Sequence, residues 1–190
     1  MDRPNIVKII CHDIGKHLGC YGVKTVNTNS IDSLAKGGIL FNNAFATSPG
    51  CSPSRAAIAT GTYPHNTGVL GLAHAHFGWS LDKKIKHIAK YFSSNDYNSI
   101  LFGLQHVTYH DEILGFNKIF PERPADHVIK NIEDNIDTKL FEKPFYAEVN
   151  FFEPHRPFDY GGVKPFRSKG VFIPKYIPNN LNIKKEFAAM

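Results

Sequence analysis

The sequence predicts an α/β domain with a largely parallel sheet, and three observations lead to this expectation. Apolar, β-branched segments of strand length alternate along the chain with segments of helical periodicity. Polar residues follow several predicted strands, which is where open α/β sheets bind ligands. The 190 residues, 42% of them hydrophobic and 21% charged, are enough for one sizeable core in one soluble domain.

The predicted elements follow one another in a simple order. Strands are expected at 5–11, 39–45, 98–102 and 144–152. Helices are expected at 30–36, 55–60, 81–94 and 125–140, with another starting at 184. Gly37-Gly38 is a typical stop for the first helix, and Pro53 suits the start of the second. Residues 158–182 are rich in Pro, Gly and aromatics, and a long irregular excursion is predicted there.

Composition excludes several classes of protein. The net charge is +5, but the basic residues are scattered, so no nucleic-acid partner is predicted. The positive charge either attracts an anionic substrate or is an ordinary lysine excess. Cys11, Cys20 and Cys51 are odd in number and lack zinc-ligand spacing, which argues against a disulfide framework. No apolar segment reaches the roughly 20 residues that cross a bilayer. No signal peptide precedes the first strand, so a cytoplasmic protein is expected unless an export signal was removed.

Four polar groups are candidates for one active site. Three of them directly follow predicted strands: His12-Asp13, Gln105-His106 and Pro154-His155-Arg156. The fourth, Cys51, is expected in a loop that leads into a helix. One edge of a parallel sheet can gather all four, so we expect these side chains to converge on a common pocket.

The most informative motif is Cys51-Ser52-Pro53-Ser54-Arg55, followed by an Ala-rich turn and Gly61. A lone cysteine beside a turn is more often a packed thiol, but further segments extend the pattern. These are 4–7, 12–15, 18–22, 41–47, 61–66, 103–106 and 153–156. Together they resemble the type I, formylglycine-dependent sulfatases of the alkaline phosphatase superfamily, and in particular the heparan N-sulfatase (sulfamidase)-like members.

The resemblance implies a fold and a reaction. The fold is the N-terminal part of a three-layer α/β/α, alkaline phosphatase-like sheet, with residues 1–190 forming the N-terminal part of a catalytic domain. The reaction is hydrolysis of a sulfate ester or sulfamate on a sulfated sugar. A maturase would convert Cys51 to formylglycine, and the hydrated aldehyde would be the nucleophile.

The resemblance also implies roles for individual residues. Cys51, Arg55, His106 and His155 would be catalytic, while His74 and Arg156 would contact the substrate. Asp13, His12 and Cys51 would hold Ca²⁺ or Mg²⁺, since an ionised carboxylate is a hard oxygen ligand. Without the motifs, Cys51 would be better explained as a packed thiol, His106 and His155 as loop histidines, Asp13 as a turn residue and Arg55 as a surface residue. His74 and His76 lie in the segment where relatives shape the substrate pocket.

Three departures from the family pattern limit these implications. His12 stands where the first acid of the metal pair is usual, so it either ligates through nitrogen or orients Asp13. Leu104 replaces a usual lysine. The later acid pair is not found before Met190, since Asp134-Asn135 lies in a predicted helix. We therefore expect the isolated chain to be inactive. The alternatives are a phosphonate or phosphate monoester hydrolase of the same superfamily, or an inactive fragment that binds anions or a partner.

Overall fold

The computed structural model describes residues 3–158 and 170–190. The chain divides into two compact units. The first unit holds the residues through Ile10 together with Phe45–Phe152, and the second holds Cys11–Ala44 together with Glu153–Met190. Part of the predicted irregular excursion, residues 159–169, lies outside the described residues.

A four-stranded sheet organises the first unit. Its strands are β1 (Ile6–Cys11), β2 (Asn98–Gly103), β3 (Lys118–Phe120) and β4 (Phe145–Phe151), in the order β1-β4-β2-β3. The central strand β2 pairs in parallel with both β3 and β4, with Phe102 opposite Phe120 on one side and Val149 on the other. The parallel α/β sheet that the sequence predicts is confirmed, and β3 is a short strand that it did not predict.

Helices pack against both faces of this sheet. The helices of the first unit are α2 (Cys51–Thr60), α3 (Pro64–Thr67), α4 (Ile88–Ser93) and α5 (Ala125–Asn135). Val128 of α5 packs on Ile100 and Phe102. Ser99, which points to the opposite face because side chains alternate along a strand, donates its hydroxyl to the Ala89 carbonyl of α4 at 3.0 Å. These contacts make a three-layer arrangement of helix, sheet and helix.

A second apolar cluster lies beside α2. Ala56 packs there with four buried residues from the connecting segments, namely Val69, Leu81, Val107 and Leu114. These segments otherwise contain little regular structure, so burial of their apolar side chains holds them in place. Two of them carry candidate site residues, His74 and His106.

The second unit contains two helices, α1 (Asn29–Gly37) and α6 (Leu181–Ala189), and a 3₁₀ turn at Gly19–Tyr21. The Asp32 carboxylate on α1 accepts hydrogen bonds from the Cys20 amide at 2.7 Å and the Thr28 hydroxyl at 3.0 Å. Gly19 allows this close approach, because a Cβ at that position would lie 2.3 Å from an Asp32 oxygen and would displace the carboxylate. The side chain of Asn180 caps α6 by accepting from the Ile183 amide at 3.0 Å.

The strand predicted at 39–45 is wrong, because the structure has no regular element there. Its apolar side chains Ile39, Phe41 and Phe45 are exposed rather than packed. Side chains take up the backbone carbonyls that a neighbouring strand would use: the Tyr21 hydroxyl donates to Phe41 at 2.9 Å and the Lys16 ammonium donates to Asn42 at 2.5 Å. A strand-like composition therefore formed no strand, since none of the strands within residues 3–158 and 170–190 pairs with it.

Four predicted helices differ in extent from the observed ones: α2 begins at Cys51, four residues before its predicted start, and three others differ as follows. The helix predicted at 81–94 is limited to Ile88–Ser93, the one predicted at 125–140 ends at Asn135, and α6 begins three residues before the predicted position. Within the part of the chain that the structure describes, none of the helices combines the length and the apolar character needed to cross a bilayer.

Candidate active site

Cys51 is the first residue of α2, not part of a preceding loop as the sequence predicted. Gly50 provides the extended backbone at the N-cap, and its carbonyl accepts from the Ser54 amide at 3.0 Å. Pro53 fits in the first turn because its missing N–H needs no partner there. Arg55 follows Cys51 by four residues, so both side chains lie on the same face of the helix. The motif thus sets a half-buried cysteine and an arginine that is only 6% exposed one turn apart.

Ser52 connects the start of α2 to the segment that carries His74. Its buried hydroxyl accepts a hydrogen bond from the Ala73 amide at 3.0 Å. Because Ala73 directly precedes His74, the motif residue next to Cys51 also restrains the position of a predicted substrate-binding side chain.

His106 lies on a tightly constrained turn after β2. Its φ of 61° is in the left-handed region, which is uncommon for a residue other than glycine. Gln105 organises the turn, since its side-chain oxygen accepts from the Val107 amide at 2.6 Å and its amide nitrogen donates to Asp111 at 2.9 Å. Strained backbone held by surrounding hydrogen bonds is a feature of functional sites.

His74 and His106 form a pair in the first unit. Their rings stack with centroids 4.4 Å apart and 22° between planes, and Nε2 of His106 shares a hydrogen bond with Nδ1 of His74. The other histidine of the segment, His76, contacts Phe77 instead. The structure therefore brings Cys51, Arg55, His74 and His106 into one compact unit, and it distinguishes His74 from its neighbour as the partner of His106.

The second unit contains the remaining predicted residues, and three of them cluster. Nδ1 of His12 lies 3.2 Å from Oδ1 of Asp13, and Nε2 of His155 lies 4.0 Å from its Oδ2. The two imidazole rings meet edge to face with centroids 4.8 Å apart. The His12 amide donates to the Glu153 carbonyl at 3.1 Å, which joins the segments on which His12 and His155 lie.

The geometry of this cluster fits a divalent metal ion. Ligand atoms of His12, Asp13 and His155 all lie within 4.8 Å of one another. Nδ1 of His155 donates to the Arg156 carbonyl at 2.5 Å, so in the neutral ring Nε2 is the nitrogen that carries the lone pair. A backbone carbonyl that orients a histidine in this way is the usual second partner of a metal-ligating imidazole.

The donor set differs from the one expected for calcium alone. Calcium takes six to eight oxygen ligands, whereas these three residues offer two imidazole nitrogens and one carboxylate. Asp13 is the oxygen donor, with a φ of 54° that turns it out of the strand direction. A metal held here would draw its other oxygen ligands from outside this group.

Arg156 is exposed and engaged in the second unit. Its guanidinium lies 2.6 Å from a Glu186 carboxylate oxygen of α6 and 5.4 Å from the Phe158 ring. Neither contact was predicted from the sequence. The contact with Glu186 was not predictable because Glu186 is thirty residues further along the chain and belongs to a helix with no distinctive pattern. The role of Arg156 toward a substrate stays a prediction.

Sequence reasoning missed two further polar residues of the first unit. Glu148 and Asn150 lie on β4, and both are buried. The only signal was that β4 alternates Tyr146, Glu148 and Asn150 with Ala147, Val149 and Phe151, which one also expects of a strand with one solvated face.

The fold and these residues define an α/β protein of the alkaline phosphatase-like class with a candidate nucleophile at a helix start. Residues 4–172 match the family model described as Sulfatase. The chain belongs to the sulfatase family.

Individual relatives agree with this assignment. The chain is 34% identical over 132 residues to the uncharacterized sulfatase YidJ of Escherichia coli (strain K12), covering 67% of this chain and 24% of the relative. It is 28% identical over 163 residues to the human N-sulphoglucosamine sulphohydrolase, covering 81% and 32%. The crystal structure of the sulfatase-like protein yidJ from Bacteroides fragilis superposes with a TM-score of 0.74 at 23% identity, covering 98% and 55%, and shows the shared fold. The chain thus spans about a quarter to a third of the length of these two curated relatives.

Proposed function

We propose that this chain provides the nucleophile-bearing part of a hydrolase that cleaves sulfate esters or sulfamates on sulfated sugars. The observation that carries the proposal is the complete pentad Cys51-Ser52-Pro53-Ser54-Arg55 at the start of α2, with Arg55 buried one turn after Cys51. The match of residues 4–172 to the sulfatase family supports it.

The nucleophile is assigned to Cys51 after modification. A maturase would replace its CH₂–SH group by an aldehyde, and the hydrated aldehyde supplies the attacking oxygen. The position at the first residue of a ten-residue helix suits an anionic substrate, because the first backbone N–H groups of a helix have no intrahelical acceptors.

Arg55 is assigned to stabilise negative charge. Its guanidinium is fixed by burial and donates to the Leu104 carbonyl at 3.3 Å, so it is oriented before a substrate arrives. A guanidinium oriented in advance in a water-poor site stabilises a charge-rich transition state more than a mobile surface arginine does. Since the usual lysine is replaced by Leu104, Arg55 would contribute a larger share of the positive charge.

Three histidines are assigned to proton transfer and substrate contact. His106 and His155 are the proposed general acid and base, one meeting the sulfate oxygens and the other protonating the leaving group. His74 shares a hydrogen bond with His106, so the tautomers of the two rings are coupled: one nitrogen of the pair carries the proton and the other accepts it. We propose His74 and Arg156 as the substrate contacts.

A divalent metal, Ca²⁺ or Mg²⁺, is the proposed cofactor. Asp13, His12 and Cys51 are its proposed ligands, whereas His155, whose Nε2 lies 4.0 Å from Oδ2 of Asp13, is assigned to proton transfer. Such an ion would polarise a sulfate oxygen. His12 would hold the Asp13 carboxylate in place for the ion, since its Nδ1 lies 3.2 Å from Oδ1 of Asp13.

The substrate class follows from relatives rather than from geometry. The human relative is named for N-sulphoglucosamine, an amino sugar with a sulfamate group. We propose a sulfated glycan, with an O-sulfate or N-sulfate as the group removed. A formylglycine maturase is the one protein partner that this proposal requires.

A fusion protein tests the proposal. The segment of the E. coli relative that follows the matched region is joined after Met190 and co-produced with a maturase, and hydrolysis of an aryl sulfate, glucosamine N-sulfate and an aryl phosphonate is compared. The proposal predicts hydrolysis of a sulfated substrate that requires a divalent metal and disappears in Cys51→Ala. Preference for the phosphonate would favour the phosphonate hydrolase, and sulfate hydrolysis that persists in Cys51→Ala would contradict the assigned nucleophile.

A further inference from the structure

A buried polar network crosses one face of the sheet in the first unit. Tyr146, Glu148 and Asn150 alternate along β4 and therefore point to the same face. Asn150 has no exposed surface, and Glu148 is 5% exposed. Buried polar side chains of this kind cost free energy unless they are paired, so the partners of each one are informative.

Glu148 anchors this network. Its carboxylate lies 2.6 Å from the Lys8 ammonium of β1, and it accepts from the Tyr146 hydroxyl at 2.8 Å and from the Asn150 side-chain amide at 3.0 Å. Burial alone would raise the pKa of the Glu148 carboxyl, but Lys8 and Asn150 outweigh it and hold that pKa below its ordinary value. The carboxylate is therefore charged, and a charged acceptor binds the Asn150 amide strongly.

Asn150 passes this restraint to the turn after β2. Its side-chain nitrogen donates one hydrogen to Glu148 and the other to the Leu104 carbonyl at 2.8 Å. Both partners are acceptors, so the amide has one possible orientation. The Leu104 amide in turn donates to the backbone carbonyl of Asn150 at 3.3 Å. Asn150 therefore hydrogen-bonds with both the backbone N–H and the backbone carbonyl of Leu104.

The Leu104 carbonyl is also the acceptor for Arg55. Arg55 donates to it at 3.3 Å, so one oxygen receives both the Asn150 amide and the guanidinium. A carbonyl oxygen has two lone pairs, and filling one from a fixed direction directs the second donor. Arg55 is a long side chain with several rotatable bonds, and a fixed acceptor selects one of its conformations.

We propose that Asn150, held by Glu148, is a positioning residue for Arg55: it fixes the Leu104 carbonyl, and that carbonyl orients the guanidinium one helical turn from Cys51. The catalytic meaning of this role rests on the proposed function, whereas the positioning itself does not. Residue 104 would orient Arg55 whatever its side chain, since the backbone carbonyl of Leu104 makes the contact.

Nuclear magnetic resonance of the Arg55 guanidinium tests the proposal on the 190-residue protein. The Arg55 signal is assigned by its loss in Arg55→Lys, and the exchange of its side-chain N–H protons with water is measured. Asn150→Leu removes both donors at similar volume, and Asn150→Val is a second variant that is compatible with a strand. A lost hydrogen bond at a charged group corresponds to about a tenfold or greater acceleration of this exchange.

Tyr146→Phe is the matched control, because it removes a hydrogen bond from the same Glu148 carboxylate but leaves Asn150 and Leu104 intact. The proposal predicts faster exchange of the Arg55 protons in a folded Asn150 variant and wild-type exchange in Tyr146→Phe. Equal exchange in wild type and a folded Asn150 variant would overturn it, as would equal acceleration by Tyr146→Phe. The exchange measurement does not depend on catalysis, so the two proposals can fail separately. If the fusion protein is inactive but Arg55 exchange still depends on Asn150, the proposed reaction is rejected and the positioning role is retained.

Discussion

His12 is the residue whose identity departs most from the pattern that the sequence resembles. The structure pairs its Nδ1 with Oδ1 of Asp13 at 3.2 Å and buries the ring to 3% exposure, whereas the Asp13 side chain is 54% exposed. A buried imidazole beside a more open carboxylate suits a residue that orients its neighbour and also presents its second nitrogen. Both roles suggested by the sequence for His12 are thus compatible with one geometry.

Asp13→Asn is expected to weaken binding of Ca²⁺ or Mg²⁺ by about tenfold or more, because removing a charged ligand costs at least as much as removing an outer partner. Calorimetry of metal binding measures this change. Asp96→Asn is the matched control, since Asp96 is also an aspartate with a left-handed backbone, at φ 60°, on an exposed loop. Equal metal affinity in wild type and Asp13→Asn would remove Asp13 from the proposed metal site.

At this scale the sequence could propose candidate side chains but not show which of them meet. The motif identified His106, and the stacking with His74 rather than His76 depends on how the segment at 71–79 folds against Val107 and Leu114. Glu148 and Asn150 could not be recognised, because a polar residue at every second strand position also describes a solvated face. Only tertiary packing shows that this face is buried.

The strand β4 shows why single elements carry more than one task. One of its faces packs Val149 against Ile100 and Phe102, while the opposite face holds the Glu148 network. Its close approach to β2 depends on Gly103, where a Cβ would lie 2.0 Å from the Asn150 carbonyl oxygen. The φ of 89° at Gly103 adds a second reason for glycine at this position.

Gly103→Ala is therefore expected to destabilise the fold by on the order of 3 kcal/mol or more, because it combines a backbone clash with a strained φ. Urea unfolding followed by circular dichroism measures the loss. Gly37→Ala is the control, since its Cβ would meet nothing within 4 Å and no left-handed φ is required there. Similar stability of the two variants would show that β2 and β4 do not approach as closely as described.

The helix α4 begins at a buried histidine with a pH-dependent role. His87 caps the helix by accepting from the Ala89 amide at 3.1 Å, which needs a neutral Nδ1. Burial lowers the pKa of His87 to about 4, and Lys8 adds to the effect while Glu148 opposes it. The unfolded chain, with its ordinary His pKa of about 6.5, binds this proton more readily than the fold does.

The contribution of neutral His87 to the free energy of unfolding is consequently expected to be fully present above about pH 6.5. It is expected to be lost as the pH falls from there toward 4. Between pH 7 and pH 5 this one group contributes a loss of about 2 kcal/mol. His87→Asn keeps a capping acceptor without a titrating ring, so it should lose less stability over the same interval in urea unfolding. A parallel loss in wild type and His87→Asn would assign the pH dependence to other groups.

Element prediction succeeded where periodicity and burial agree and failed where they do not. The strands β1, β2 and β4 were predicted within a residue or two of their bounds, although Val7 and Ile9 of β1 are exposed and not buried as expected. The segment at 39–45 has the composition of a strand, but none of the four described strands pairs with it, and pairing is decided by the tertiary structure. The short strand β3 has three residues, too few to produce a recognisable alternation.

Over the whole molecule, the α/β fold with a parallel sheet is confirmed, and the resemblance to sulfatases is confirmed at the level of the family. The candidate active-site residues divide between the two compact units, with Cys51, Arg55, His74 and His106 in the first and His12, Asp13, His155 and Arg156 in the second. Their convergence on a single pocket stays a prediction, which was made because the motifs follow strands whose ends meet at one edge of a parallel sheet.

The isolated chain is expected to show no metal-dependent hydrolysis of an aryl sulfate, even after maturation. Within the described residues, the group of His12, Asp13 and His155 offers one carboxylate to a metal ion. A hard divalent ion needs several more oxygen ligands. Preorganised charge stabilisation is lost when part of the ligand set is missing. Turnover by the isolated chain that increases with added Ca²⁺ or Mg²⁺ would show that fewer ligands suffice.

The central claim is that Cys51 is the precursor of the nucleophile, and peptide mass spectrometry of the 190-residue protein co-produced with a maturase tests it most directly. The account predicts that the peptide containing Cys51 loses its sulfur, gains an aldehyde oxygen and reacts with a hydrazine probe, while Cys11 and Cys20 remain thiols. Arg55→Ala and Pro53→Ala are expected to reduce the conversion, because they disrupt the pentad that the maturase reads. A Cys51 that remains a thiol with both aerobic and anaerobic maturases would contradict the account.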